Sequence, residues 1–324
     1  MENLIISLNV IAPLMLYMLL GAFLRHRGLL GEKLTKDMNH LLVNAFIPFV
    51  MFKNIYQADL SGLSGSFGLY AGLANLVGWA VFYLIFGLTV KDQGRVGTMV
   101  QGAFRSNAII FGMPVAEALF GPENTVEVAL TIAICVPVYN IFSVLVLEIC
   151  GQKAAMQRGE AAREGSHINA RSILLSIAKN KLIWGAVLGL LVNFSGIDLP
   201  KPVDTVVAGM AGIVTPVAFL LLGSSFRLSS AKENIKAISV VTVSKLVLFP
   251  LAFMVLPILW GWRGRVIGAM LLASGAPTAI SSFPMAEAMG CDGELAGEIV
   301  AITSIFSVLS MFLWIFGLKQ FGLM

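Results

Sequence analysis

Residues 101–121 read QGAFRSNAIIFGMPVAEALFG, and residues 271–290 read LLASGAPTAISSFPMAEAMG. Both stretches are apolar enough to lie in a membrane. Each carries a helix breaker near its middle and another further on. Proline removes a backbone donor and clashes with the preceding turn. Freed backbone groups at membrane depth survive only where protein or a wet cavity satisfies them. The two stretches also resemble each other. Pro114, Ala116, Glu117 and Ala118 match Pro284, Ala286, Glu287 and Ala288 at a constant offset of 170, which sets Asn107 opposite Pro277. Further on, IFSVL at 141–145 recurs at 305–309 with an offset of 164, and Pro48 faces Pro216 at 168. Ordered matches with a slowly drifting offset point to an internal repeat.

Composition agrees with a membrane setting. Of the 324 residues, 57% are hydrophobic and 12% charged, against roughly 25% charged in a soluble domain. Mean hydropathy is +0.86. Apolar runs near the roughly 20 residues needed to cross the hydrocarbon core predict spans at 4–24, 39–57, 66–90, 97–121, 125–149, 173–194, 203–225, 236–259, 264–290 and 295–318. Met1-Glu2-Asn3 lacks the basic start of a cleaved signal peptide, so the first run reads as a span. The expected fold is therefore all-α, with about ten transmembrane helices. Five spans per copy is an odd number, so the second copy is inverted, an arrangement typical of transporters. Residues 1–150 form the first five-helix repeat, 151–172 a polar loop and 173–324 the second repeat, with spans four and nine broken and crossed. Of 22 Lys and Arg residues, 15 fall in one set of loops, including Lys153, Arg158, Arg163 and Arg171. Five fall in the other set, Lys53 among them, and Arg105 and Lys245 lie within spans. By the positive-inside rule the central loop is cytoplasmic and both termini are outside. The formal charge of +4 is thus a topology signal and implies no nucleic-acid partner.

The crossing point is the candidate site. The half-helix N-termini there would offer unpaired N–H groups and partial positive charge to an anion. Substrate-binding candidates are Arg105, Asn107, Pro114, Pro277, Thr278 and Ser281 from the two broken spans. Asn44 joins them from the second span, beside Pro48, and Lys245 from the eighth, within VTVSKLVLFP. Cations at depth face a partner or a wet pathway. Arg105 suits a carboxylate because its planar fork binds both oxygens, or it pairs with an acid such as Glu117 or with backbone carbonyls. Lys245 either attracts the anion or snorkels towards an interface. Asn44, Asn75, Asn140, Thr215 and Ser244 either line a site or tie helices together.

The run Arg105-Ser106-Asn107, Gly112-x-Pro114 and Ala116-Glu117-Ala118, followed by Ala276-Pro277-Thr278-Ala279, resembles the auxin efflux carrier family, whose bacterial members are often called malate permeases. The resemblance covers the whole chain, although the central loop is shorter than in many plant members. It implies two inverted five-helix repeats, a scaffold and a transport domain, and crossed helices holding a substrate carboxylate. It also implies an elevator motion, a homodimer formed through the scaffold, and residence in the lipid bilayer of a bacterial inner (plasma) membrane.

Other chemistry is disfavoured. Cys135, Cys150 and Cys291 lie far apart without metal spacing, and His26, His40 and His167 form no cluster. GLSGSFG at 62–68 lacks the Lys-Ser/Thr ending of a phosphate loop. No cofactor is expected and no enzyme, since no nucleophile–base pair stands out. No Asp or Glu sits near the centre of a span, which disfavours a proton relay. Sodium held by carbonyls and hydroxyls, around Ser281 and Ser282 for example, remains open. The expected function is secondary transport of small organic anions, mono- or dicarboxylates, by alternating access. Rival readings are a sodium-coupled carrier of the bile-acid symporter type and a membrane sensor without transport.

Overall fold

A computed structural model describes residues 13, 16–57, 65–121, 125–159, 181–225 and 232–324. The start of the first predicted span, residues 160–172 of the central loop and the start of the sixth span lie outside the described residues. Among the described residues the chain is helical throughout, with one isolated antiparallel bridge, Ser106 to Thr278. Five stretches are long and apolar enough to cross a membrane: Phe67–Thr89, Leu130–Gln157, Lys201–Leu221, Ile235–Leu259 and Gly293–Gln320. The protein is an all-α membrane protein.

Helix α1 covers 16–26. Helices α2 (Glu32–Leu41) and α3 (Ile47–Tyr56) are joined by a π-turn, Leu42–Phe46, just before Pro48. Next come α4 (Gly65–Thr89), α5 (Gln93–Phe104), α6 (Met113–Phe120) and α7 (Val126–Gln157). Helix α7 runs past residue 149, so the first residues assigned to the central loop are helical. The second half holds α8 (Lys181–Ser195), α9 (Lys201–Gly212), α10 (Val214–Ser225), α11 (Ile235–Val243) and α12 (Phe249–Leu259). It closes with α13 (Arg265–Gly275), α14 (Ser282–Ala288) and α15 (Gly293–Gln320).

Packing sorts these helices into two groups. In the first, α3 lies along α8 and α9, and α2 against α10. Small residues set these approaches. A Cβ on Gly189 would stand 2.7 Å from the Phe52 carbonyl oxygen, and one on Gly185 would strike the Pro48 carbonyl. Gly21 and Gly223 likewise let α1 and α10 touch backbone to backbone. Where lipid removes the hydrophobic drive between helices, such glycines gain close van der Waals contact. In the second group, α7 is the hub, packed against α4, α5 and α13, while α15 covers α14 and α5. The groups draw helices from both halves of the chain. They meet where α3 and α8 pass α7, and where α14 touches α2 and α10.

Candidate functional site

Both broken helices end in extended backbone. Arg105 follows α5 with φ −77° and ψ 114°, and Ala276 follows α13 with φ −61° and ψ 153°. The two extended segments pair antiparallel. Asn107 N–H donates to the Pro277 carbonyl at 2.8 Å, and Ala279 N–H donates to the Arg105 carbonyl at 3.2 Å. Each break thus supplies the partners that the other lost, which meets the requirement that buried backbone polar groups be paired. Side chains reinforce the pairing. Thr278 Oγ1 donates to the Gly102 carbonyl at 2.8 Å, and its N–H reaches Thr303 Oγ1 at 3.2 Å. Tyr139 donates to the Ala273 carbonyl at 3.1 Å.

Lys245 belongs to this framework. The π-turn Ser244–Leu248 follows α11 and carries its fully buried side chain to the end of α13. Its ammonium donates to Ser106 Oγ and, at 2.5 Å, to the Ser274 carbonyl, and lies 5.1 Å from the Phe249 ring. A cation is favoured there, because the last carbonyls of a helix carry partial negative charge. It fastens the two breaks together and does not line the cavity described next.

A cavity of about 300 Å³ opens beside the paired breaks, between the two helix groups. Ligand pockets run from about 300 to 1,000 Å³, so this one suits a small molecule. One wall is the break region itself: Arg105 to Ile109, Ala279 to Ser281, and Val136, Tyr139 and Asn140 of α7. The other wall comes from the first group: Val50 and Lys53 of α3, and Ala211, Gly212, Val214 and Thr215 around the α9–α10 junction. Among the described residues the lining holds two cations, Arg105 and Lys53, and no acid. Arg105 is buried, its guanidinium held by Asn140 Oδ1 at 3.2 Å and Met285 Sδ at 2.9 Å. Both partners are neutral, so they fix the fork without cancelling its charge. The buried side-chain amide nitrogens of Asn107 and Asn140 have no hydrogen-bond acceptor among the described residues. A buried donor without a partner costs about 1–3 kcal/mol, and a ligand acceptor in the cavity would relieve it.

Of the residues singled out from sequence, Arg105, Asn107 and Ser281 come together in the cavity wall. Pro277 and Thr278 stand behind it as backbone and side-chain ties. Pro114 is the second residue of α6. Asn44 does not line the cavity; its amide donates to the His40 carbonyl at 2.9 Å, one turn back. Lys53, assigned from sequence to an outer loop, lies within α3 and lines the site. Glu298 is a buried acid one turn into α15, outside the lining. It accepts from Asn234 at 2.9 Å, which in turn accepts from Arg95 at 2.7 Å. Among the described residues no group of His, Cys, Asp and Glu could hold a metal.

Interrupted helices that meet inside a membrane helix bundle define a class, the membrane transport proteins built around broken spans. Residues 6–315 match the family model described as Membrane transport protein, and the chain belongs to this family, the auxin efflux carrier family. It is similar to an uncharacterized transporter of Methanothermobacter thermautotrophicus, with 23% identity over 95% of this chain and 97% of that one. It is 25% identical to the uncharacterized transporter YfdV of Escherichia coli K12, over 94% of this chain and 95% of the relative. A proposed malonate transporter of Rhizobium meliloti is 22% identical over 84% of this chain and 83% of its own length.

Proposed function

We propose that the protein is a secondary carrier of small organic anions, mono- or dicarboxylates, working by alternating access with an elevator-like motion of one helix group against the other. The observation that carries this reading is the cavity at the paired breaks, lined among the described residues by Arg105 and Lys53 without an acid, and with the spare amide donor of Asn107. A carboxylate is the acceptor that such a lining recognises. The location between two helix groups is one that a sliding motion could open to either side in turn. The similarity to a proposed malonate transporter supports the same substrate class. In this reading the chain has ten spans, arranged as inverted repeats 1–150 and 173–324, and forms a homodimer in a bacterial inner membrane.

Orientation is part of the proposal: the loop at 151–172 is cytoplasmic and both termini are outside, as the 15-to-5 distribution of Lys and Arg favours. Single cysteines placed in that loop of a cysteine-free variant should resist an impermeant maleimide in intact cells and react after permeabilisation. Labelling from outside would invert the assignment.

Transport itself is tested in proteoliposomes. With no carboxylate among the described lining residues to release a proton, movement of the anion should carry net charge. Labelled malonate uptake should respond to imposed voltage and persist without a pH or sodium gradient. Uptake that is electroneutral and stops when the pH gradient collapses would contradict this. Strict dependence on sodium would favour the bile-acid symporter type of mechanism.

A further inference from the structure

We infer that Lys53 is a specificity residue, reading a second carboxylate, so that the cavity selects short dicarboxylates over monocarboxylates of the same size. The inference rests on the carboxylate-carrier reading above. The two cations of the lining stand on different walls. Arg105 belongs to the break in the second helix group, and Lys53 to α3 in the first. Their circumstances differ. Arg105 is buried and held rigidly by Asn140 and Met285. Lys53 is half-buried, and its ammonium has no hydrogen-bond or ion-pair partner among the described residues. A lysine ammonium is a compact point charge on a flexible stem, suited to following an anionic group across a gap. With no acid among the described lining residues, each cation calls for its own counter-charge.

A monocarboxylate seated on Arg105 and Asn107 leaves Lys53 without a counter-charge, among the apolar Val50, Ala211 and Val214 of its own wall. A short dicarboxylate satisfies both cations at once and bridges the two helix groups. Losing the second charged contact costs about 1.5–3 kcal/mol, which corresponds to about 10- to 100-fold in affinity. Specificity of this kind arises because a site built for a polar group rejects the analogue that lacks it.

The test compares malonate with propionate, which carries a methyl where malonate has its second carboxylate. Binding of each to the purified, monodisperse full-length protein at neutral pH is measured by calorimetry. The parent should prefer malonate by at least about tenfold. Lys53→Gln should lose that preference by weakening malonate while leaving propionate nearly unchanged. Lys53→Arg, which keeps the charge, should retain most of it and shows that the fold tolerates change at this position. Equal binding of the two acids by the parent would overturn the inference. So would a Lys53→Gln variant that weakens both acids alike, or neither. Those outcomes leave the carboxylate-carrier reading standing. If the parent binds no carboxylate of any kind, the parent reading fails and this inference with it.

Discussion

Arg105→Ala should weaken carboxylate binding by about 100-fold or more, the largest loss expected at any single position. The guanidinium is the buried charge at the break, and its two neutral partners aim it without neutralising it. A bidentate arginine–carboxylate contact contributes two charge-assisted hydrogen bonds. At about 1.5–3 kcal/mol each, removing both costs at least about 3 kcal/mol, or two factors of ten. Arg105 also takes part in the pairing of the breaks, but through its carbonyl, which accepts from Ala279 in any variant. The purified variant should therefore remain monodisperse. Arg105→Lys should fall between, keeping the charge and losing the fork. Calorimetry with malonate checks the series. If Arg105→Ala binds within threefold of the parent, the guanidinium does not hold the substrate.

The second large effect is at Asn107. Its backbone N–H is committed to the Pro277 carbonyl, while its side-chain nitrogen has no acceptor among the described residues. Asn107→Ala keeps the backbone bond and deletes the side-chain donor. Loss of one hydrogen bond to a charged group, about 1.5–3 kcal/mol, predicts about a 10- to 100-fold drop in affinity. Thermal stability should change little or rise, because a buried donor without a partner is removed along with the ligand contact. A variant that loses stability and leaves affinity unchanged would give Asn107 a structural role. Glu160→Ala, in the central loop, is the control and should leave binding as it was.

The breaks were legible because breakers at matched positions in two apolar runs leave few ways to satisfy the freed backbone. Asn107 opposite Pro277 in the repeat became a hydrogen bond between the same two residues. What sequence left out was direction within a span. Lys245 and Arg105 are both cations at depth, and depth alone draws both towards a substrate. The π-turn at Ser244–Leu248 aims Lys245 at the carbonyl end of α13 instead; Pro250 follows that turn as Pro48 follows Leu42–Phe46, but a proline does not say which way the preceding side chain will point. Lys53 was missed for the opposite reason. Near a span end it counts as a loop cation, yet it lies one turn inside the end of α3, about 5 Å along the axis. Spacing also concealed contacts between distant segments. Cys150 and Cys291 read as far apart, yet both border Gly97, where an added Cβ would stand 2.8 Å from the Cys150 Cβ and 2.9 Å from the Cys291 Sγ. The signal that could have been found is the glycine pair Gly185 and Gly189, spaced one turn apart in an apolar run, which marks the close approach of α8 to α3.

In the proposed mechanism a small carboxylate sits in the cavity at the paired breaks. The most direct measurement is an experimental structure of the full-length protein in lipid nanodiscs with malonate present, compared with one in its absence. Density for the acid is expected between the Arg105 guanidinium and the Asn107 amide, absent from the ligand-free map and lost on Arg105→Ala. Malonate bound elsewhere, with this cavity empty under conditions that saturate the protein, would contradict it.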